Sequence, residues 1–233
     1  EMKEFLVRQY GLEPSRISVV HNVEILSEFD QIDDSDKPLV KDKELIISYV
    51  GGIAPHRGVE VLLDAMAKLD AASLPSFRLV IVGANEIQKR KLTEICEIKG
   101  IQKLVNIYGF LPHRAAVQWI KRTDIGVIPH ADTEFIQTTI PNKLFQYMAA
   151  GAMCLVSDVG PLGRIVRSTN CGVTFSAGSA DDLADQLTRV LQYPEQIHQM
   201  GANGRISCER HYRWEIEGQL YTSYFSDMLV QHG

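Results

Sequence analysis

Short apolar runs alternate with stretches of helical period along most of the chain, beginning near residue 45. The runs are rich in β-branched residues, and several end at glycine or proline. They predict strands at Ile46–Val50, Phe77–Val82, Val105–Tyr108, Ile125–Ile128, Met153–Val156 and Gly172–Phe175. Strands that alternate with helices form a parallel sheet covered on both faces. The pattern therefore predicts an α/β fold with a doubly wound, Rossmann-like parallel sheet.

The stretches between these runs carry apolar residues at helical spacing. They predict helices at Val59–Leu69, Glu86–Lys99, from Pro112 onward, at Asn142–Ala150 and at Leu183–Leu191. Pro141 is suited to the first turn of its helix, and Gly151 ends that helix. Ser179 and Asp182 have the spacing of a capping box.

Residues 1–43 lack this rhythm. Met2 to Tyr10 predict a short amphipathic helix that ends at Gly11, and Ile17–Val20 predicts a short strand. Glu28–Asp42 is polar and acid-rich, which is typical of a linker. We interpret residues 1–43 as a linker that follows a preceding domain, with the α/β domain beginning at residue 44.

Composition excludes some partners and chemistries. The 233 residues are 45% hydrophobic and 23% charged, with a net charge of −5, so nucleic acid is not expected as a partner. No apolar run approaches the ~20 residues that span a bilayer. The four cysteines are far apart, with no metal-ligand spacing, so no metal site is expected. The expected compartment is a reducing cytoplasm.

Ligands of doubly wound sheets bind beyond the carboxyl ends of the strands. The loops there are Gly51–Arg57, Gly83–Glu86, Gly109–Leu111, Pro129–Ile140 and Ser157–Leu162. Arg57 and Lys143 are cations at loop-to-helix junctions, and Gly51-Gly52 permits close backbone approach. Arginine and lysine together suit a pyrophosphate; the alternative for each is an ordinary surface cation. Neither a GxGxxG nor a GxxxxGK[ST] motif is present, which disfavours dinucleotide and P-loop sites.

Several of these segments together resemble a known family. The runs are YVGGIAPHRGVEVLLDAM, FRLVIVG, VNIYGFL, TDIGVIPH and IPNKLFQYMAAGAMCLVSD. In this order they resemble the C-terminal, donor-binding domain of GT-B glycosyltransferases, closest to the retaining group-1 set (family 4). The resemblance extends from about Ile46 to about Gly204. Residues 211–233, with Tyr212–Met228 as a helix, resemble the family's terminal helix, which returns toward an N-terminal acceptor domain.

The resemblance implies a nucleotide-diphospho-sugar substrate, UDP- or GDP-linked, with no cofactor and no metal. Arg57 occupies the family's phosphate-binding position and Lys143 lies near the donor phosphates, so these two are the implied catalytic residues. Gly52 stands where many members carry a second basic residue. The other implied donor-binding residues are Gly51, Gly52 and Gly83, Gly109, Phe110 and Leu111 near the base, and Thr138, Thr139, Ile140 and Gln146 near the sugar, phosphates and ribose.

One departure from the family bears on catalysis. The family signature is two glutamates separated by seven residues, and here those positions hold Thr138 and Gln146. Gln146 retains hydrogen-bonding capacity toward a ribose hydroxyl, whereas Thr138 supplies no charge. Two alternatives therefore stay open beside retaining transfer: a non-catalytic nucleotide-sugar-binding subunit, and a GT-B sugar-nucleotide epimerase relative. The expected acceptor is a glycan, polysaccharide or lipid-linked molecule, with peripheral membrane association possible for the longer protein.

Overall fold

The computed structural model describes residues 1–33 and 44–231, with side chains described as far as residue 225. The strands are β1 (Leu45–Val50), β2 (Phe77–Ala84), β3 (Val105–Gly109), β4 (Ile125–Ile128), β5 (Met153–Ser157) and β6 (Gly172–Phe175). They form one sheet in the order β3-β2-β1-β4-β5-β6, and every neighbouring pair is parallel. The predicted fold class and all six predicted strands in this region are confirmed.

Helices cover both faces of the sheet. They are α1 (Met2–Tyr10), α2 (Leu26–Gln31), α3 (Val59–Met66), α4 (Glu86–Ile98), α5 (His113–Lys121), α6 (Asn142–Ala150), α7 (Gly160–Thr169), α8 (Ala180–Leu191), α9 (Pro194–Arg210) and α10 (Trp214–Gln231). Helices α5, α6 and α7 pack on one face, and α3, α4 and α8 on the other. Adjacent residues of β1 supply the two cores, with Ile46 in one and Ile47 in the other, because successive side chains of a strand point to opposite faces.

The strand order reverses between β1 and β4. From β1 the chain proceeds outward to β2 and β3, and from β4 it proceeds in the other direction to β5 and β6. The loops that leave β1 and β4 therefore separate and leave a crevice between them, which is where open parallel sheets bind ligands.

Four details differ from the sequence-based predictions. Ile17–Val20 is not a strand, and helix α2 occupies part of the predicted linker; the rest of that linker, residues 34–43, lies outside the described residues. Helices α7 and α9 were not predicted. Asp182 does not close a capping box, because its carboxylate accepts from the amide and hydroxyl of Ser176 rather than from Ser179.

The N-terminal segment is fastened to the C-terminal helix. The buried carboxylate of Glu217 on α10 accepts from the amide of His21 at 3.0 Å and lies 2.6 Å from its ring Nδ1. The amide of Trp214 donates to the carbonyl of Glu24 at 2.9 Å. Residues 21–24 are consequently held beside helix α6. The division of the chain at residues 43 and 210 stays a prediction.

Candidate functional site: an electropositive cavity at the switch point

A cavity of about 430 Å³ lies between the loops that leave β1 and β4. It is lined by Val50, Gly51, His56, Arg57, His130, Phe135, Ile136, Thr139, Ile140, Pro141, Asn142, Lys143 and Gln146. Two cations and two histidines therefore face one space, and no carboxylate lines it in the described part of the chain. The first amides of helix α6 begin at the same place. This combination favours an anionic ligand.

Lys143 is buried rather than a solvated surface cation. The side chain is only 5% exposed, and its Nζ has no hydrogen-bond partner. Burial lowers the pKa of Lys143 well below its ordinary value, and the nearby Arg57 lowers it further. A buried ammonium without a partner is costly, so its position at a cavity wall points to an anion that would pair with it.

Helix α6 is locked to strand β1 one turn after Lys143. The hydroxyl of Tyr147 donates to the carbonyl of Ser48 at 3.1 Å and accepts from the amide of Val50 at 2.9 Å. The Tyr147 ring lies flat against Gly126 of β4, where an added Cβ would lie 2.3 Å from the ring. These contacts fix the start of α6, and with it Lys143, relative to the end of β1.

Arg57 reaches the cavity through a tight turn. Residues Pro55–Arg57 form a 3₁₀ turn that ends at Gly58, whose φ is +67°. A Cβ at Gly58 would lie 1.7 Å from the carbonyl oxygen of Pro129, so only glycine permits this approach. The amide of Ala131 also donates to the carbonyl of His56 at 2.9 Å. The β1 and β4 loops are thus joined, which brings Arg57 and His130 into one cavity.

His130 is a residue of this cavity that the sequence analysis did not assign to the site. Its ring is 2% exposed, and neither ring nitrogen has a hydrogen-bond partner. Burial lowers the pKa of His130 to about 3, with further contributions from Lys143, Arg57 and His56. The one sequence signal was its place directly after the β4 strand and Pro129, at the predicted ligand-binding edge.

The predicted donor-binding residues divide into two groups. Gly51, Thr139, Ile140 and Gln146 line the cavity with Arg57 and Lys143. The others do not line it: Gly52, Gly83, Gly109, Phe110, Leu111 and Thr138. Gly83 nevertheless packs against the backbone of Gly51, where a Cβ would lie 2.5 Å from the Gly51 oxygen. The contacts of both groups of residues with a donor stay predictions.

Gln146 has a partner that its sequence position did not reveal. Its amide nitrogen donates to the carboxylate of Glu24 at 2.6 Å, across 122 residues of sequence. Because the amide group is used in this way, the Gln146 carbonyl oxygen is left to accept from a ligand hydroxyl. Glu24 therefore positions Gln146, the residue that the resemblance assigns to the place of the family's second glutamate.

Two absences in the described residues concern metals and membranes. No three histidine, cysteine, aspartate or glutamate side chains are grouped as metal ligands would be. None of the helices in that part of the chain has the length and apolar character needed to cross a membrane.

The fold and the cavity define an α/β domain with an electropositive cavity at the switch point of its sheet. The family model of "Glycosyl transferases group 1" matches residues 30–207, and the chain belongs to this family. A D-inositol 3-phosphate glycosyltransferase of Rhodococcus jostii is 27% identical over 226 residues, which is 92% of this chain and 48% of that protein. The chain thus spans about half the length of the curated relatives it matches.

Solved structures show the same fold at low sequence identity. A glycosyltransferase of Rickettsia africae has a TM-score of 0.80 at 13% identity, covering 97% of this chain and 61% of that one. HepE of Anabaena, in complex with UDP-glucose, has a TM-score of 0.74 at 14% identity, covering 94% and 60%. The sheet and its flanking helices are therefore those of GT-B glycosyltransferases.

Proposed function

We propose that this chain is the donor-binding, C-terminal half of a glycosyltransferase that takes a sugar from a nucleoside-diphosphate donor. The observation that carries the proposal is the buried, unpaired ammonium of Lys143, which faces the same cavity as Arg57 at the start of helix α6. Family membership supports it, as does the likeness to HepE, whose structure contains UDP-glucose. Because the matched relatives are about twice as long, transfer is proposed for a protein that carries both halves.

The cavity would act on the leaving group. As the bond between the sugar carbon and the β-phosphate oxygen breaks, negative charge develops on the departing nucleoside diphosphate. Arg57, Lys143 and the first amides of α6 are fixed in place before the reaction, so they would stabilise that charge without reorganising. The proposed outcome is retention, with the acceptor attacking from the side of the leaving group and no protein nucleophile. The donor is the substrate, and no metal is required in this scheme.

The residue types at the two positions of the family's paired glutamates favour a second candidate function. Thr138 does not line the cavity, and its hydroxyl donates to the carbonyl of Phe135 at 3.0 Å, so it offers no acid to the donor sugar. A nucleotide-sugar-binding subunit without transferase activity fits this observation. The epimerase alternative calls for acidic and histidine groups around the donor sugar. His56 and His130 line the cavity, but no described carboxylate does.

Donor turnover separates transfer from binding alone. The protein with both halves would be incubated with UDP- and GDP-sugars, and release of free nucleotide would be measured for the wild type, Arg57→Ala and Lys143→Ala. Each substitution is expected to lower turnover by ~10²-fold or more. Without an added acceptor, water takes the sugar, and the anomeric configuration of the released sugar, read by NMR before it mutarotates, tests retention. Nucleotide affinity without turnover in the wild type would instead establish the binding subunit.

A further inference from the structure

The ring of His130 is buried and has no hydrogen-bond partner among the described residues. Both of its nitrogens lie out of contact with solvent and have no partner among the described residues. Buried polar atoms are almost always paired, and an orphaned pair of ring nitrogens at a cavity wall calls for an explanation. The ring takes no part in holding the fold through hydrogen bonds, so a ligand in the cavity is the natural partner.

Among the described residues, the charged and titratable groups that face His130 are all basic. Lys143 faces it from helix α6, and His56 and Arg57 face it from the 3₁₀ turn after β1. On its own loop, Asp132 and Glu134 are exposed and do not line the cavity; Asp132 instead accepts from Gln137 at 2.7 Å. Burial and these basic groups consequently oppose a positive charge on the ring, and the ring is neutral near pH 7.

We propose that His130 binds the donor's pyrophosphate directly and takes up one proton from solvent when the pyrophosphate binds. This inference rests on the proposed donor site. A bound pyrophosphate brings negative charge that outweighs the repulsion from Lys143 and Arg57, and the imidazolium then has two N–H groups to donate. The protonated ring supplies a third cation to the cavity, beside Arg57 and Lys143.

Proton uptake makes donor affinity depend on pH. A group that gains a proton on binding favours the complex at lower pH, so affinity falls as pH rises through the pKa of His130 in the complex. The terminal phosphate of a nucleoside diphosphate titrates near pH 6 and has the opposite effect below that value. Measurements at pH 7.5 keep the nucleotide fully ionised and leave the contribution of His130 visible.

Calorimetric titration with UDP and with GDP, in two buffers of different ionisation enthalpy at pH 7.5, counts the protons taken up. The proteins are the wild type, His130→Gln, which hydrogen-bonds but cannot be protonated, and the control His113→Gln, whose side chain is exposed outside the cavity. The wild type and His113→Gln are expected to take up more protons than His130→Gln, which should also bind about 10-fold more weakly. Equal uptake and affinity in all three proteins would overturn the inference while leaving the donor site intact.

A measurement on the wild type alone guards against a variant that does not fold. In protein labelled with carbon-13 in the imidazole rings, one of the seven histidines should convert from neutral to cationic when saturating UDP or GDP is added. Binding with no such conversion would overturn the inference. Absence of binding by either nucleotide would overturn the proposed donor site and this inference together.

Discussion

The ammonium of Lys143 lies over the ring of Tyr49, with its nitrogen 3.8 Å from the ring centroid. The ring is fully buried, and its hydroxyl donates to the carbonyl of Gly52 at 2.7 Å. A cation over an aromatic face is attracted by the ring's negative potential, which offsets part of the cost of burial. The contact holds the nitrogen beside the cavity, where it has no hydrogen-bond partner among the described residues.

The first prediction concerns stability. Lys143→Met keeps the length of the side chain but removes the buried, unpaired nitrogen, so the free energy of unfolding of the empty chain should rise by about 1 kcal/mol. The same variant should lose nucleotide binding. Lys89→Met, at an exposed position of helix α4, is the control and should change stability little. Denaturant titration measures both; a clear loss of stability in Lys143→Met would contradict this account of the lysine.

The second prediction concerns the space in front of the lysine. A Cβ at Gly51 would lie 2.9 Å from Lys143 Nζ, and the φ of Gly51 is +140°. Gly51→Ala should therefore displace the Lys143 ammonium and lower nucleotide affinity by about 10-fold. The same substitution should also destabilise the folded chain by about 1–3 kcal/mol through backbone strain. Gly100→Ala is the matched control, because Gly100 has a φ of +70° but no neighbour within 4 Å of an added Cβ. Equal nucleotide affinities in the two variants would contradict the steric argument.

The third prediction concerns the stability of the folded chain at low pH. Burial in the folded chain lowers the pKa of His130 from an ordinary 6.5 to about 3. Between these values the unfolded chain binds a proton that the folded chain does not, so stability is lost as pH falls below 6.5. The loss is about 1.4 kcal/mol per pH unit, or roughly 2 kcal/mol by pH 5. His130→Gln should lack this component. Unfolding at pH 7.5 and pH 5 would show it, and identical losses in both proteins would refute it.

The fourth prediction concerns the pair Gln146 and Glu24. Gln146→Glu restores the residue type of the family signature, but it places a second carboxylate at hydrogen-bonding distance from the carboxylate of Glu24. The loss of the bond and the repulsion should cost roughly 1–3 kcal/mol of stability at pH 7. The double variant Glu24→Gln/Gln146→Glu should recover most of it, since an amide again faces a carboxylate. A double variant as unstable as the single one would show that the two side chains are not coupled.

The strands were predictable because their apolar runs are short, rich in β-branched residues and, in four of the six cases, followed directly by glycine or proline. Helix α7 was missed because its sequence, GPLGRIVRST, begins like a loop. Helix α9 was missed because Gly201 and Gly204 lower its helical propensity. A Cβ at Gly201 would lie 1.9 Å from the carbonyl oxygen of Gly151, so close packing overrides propensity there. Ile17–Val20 has β-branched residues but pairs with no strand of the sheet.

The site was predictable only in part. Arg57 and Lys143 follow from their places at loop-to-helix junctions, because topology alone brings those junctions to one edge of the sheet. The role of Glu24 depends on a hydrogen bond to Gln146 across 122 residues of sequence. The burial of Lys143 and of His130 depends on how the loops pack. No local pattern encodes such contacts. The expected class of donor came from the family resemblance, and the contacts among the site residues came from the structure.

The central claim is that Lys143 binds the phosphates of a nucleotide. Calorimetric titration of the chain with UDP and GDP, beside Lys143→Ala and the exposed control Lys89→Ala, tests it most directly. We expect the wild type and Lys89→Ala to bind one of the two nucleotides equally well, and Lys143→Ala to bind it at least about 30-fold more weakly. Equal affinity in Lys143→Ala, or no binding of either nucleotide by the wild type, would contradict the claim.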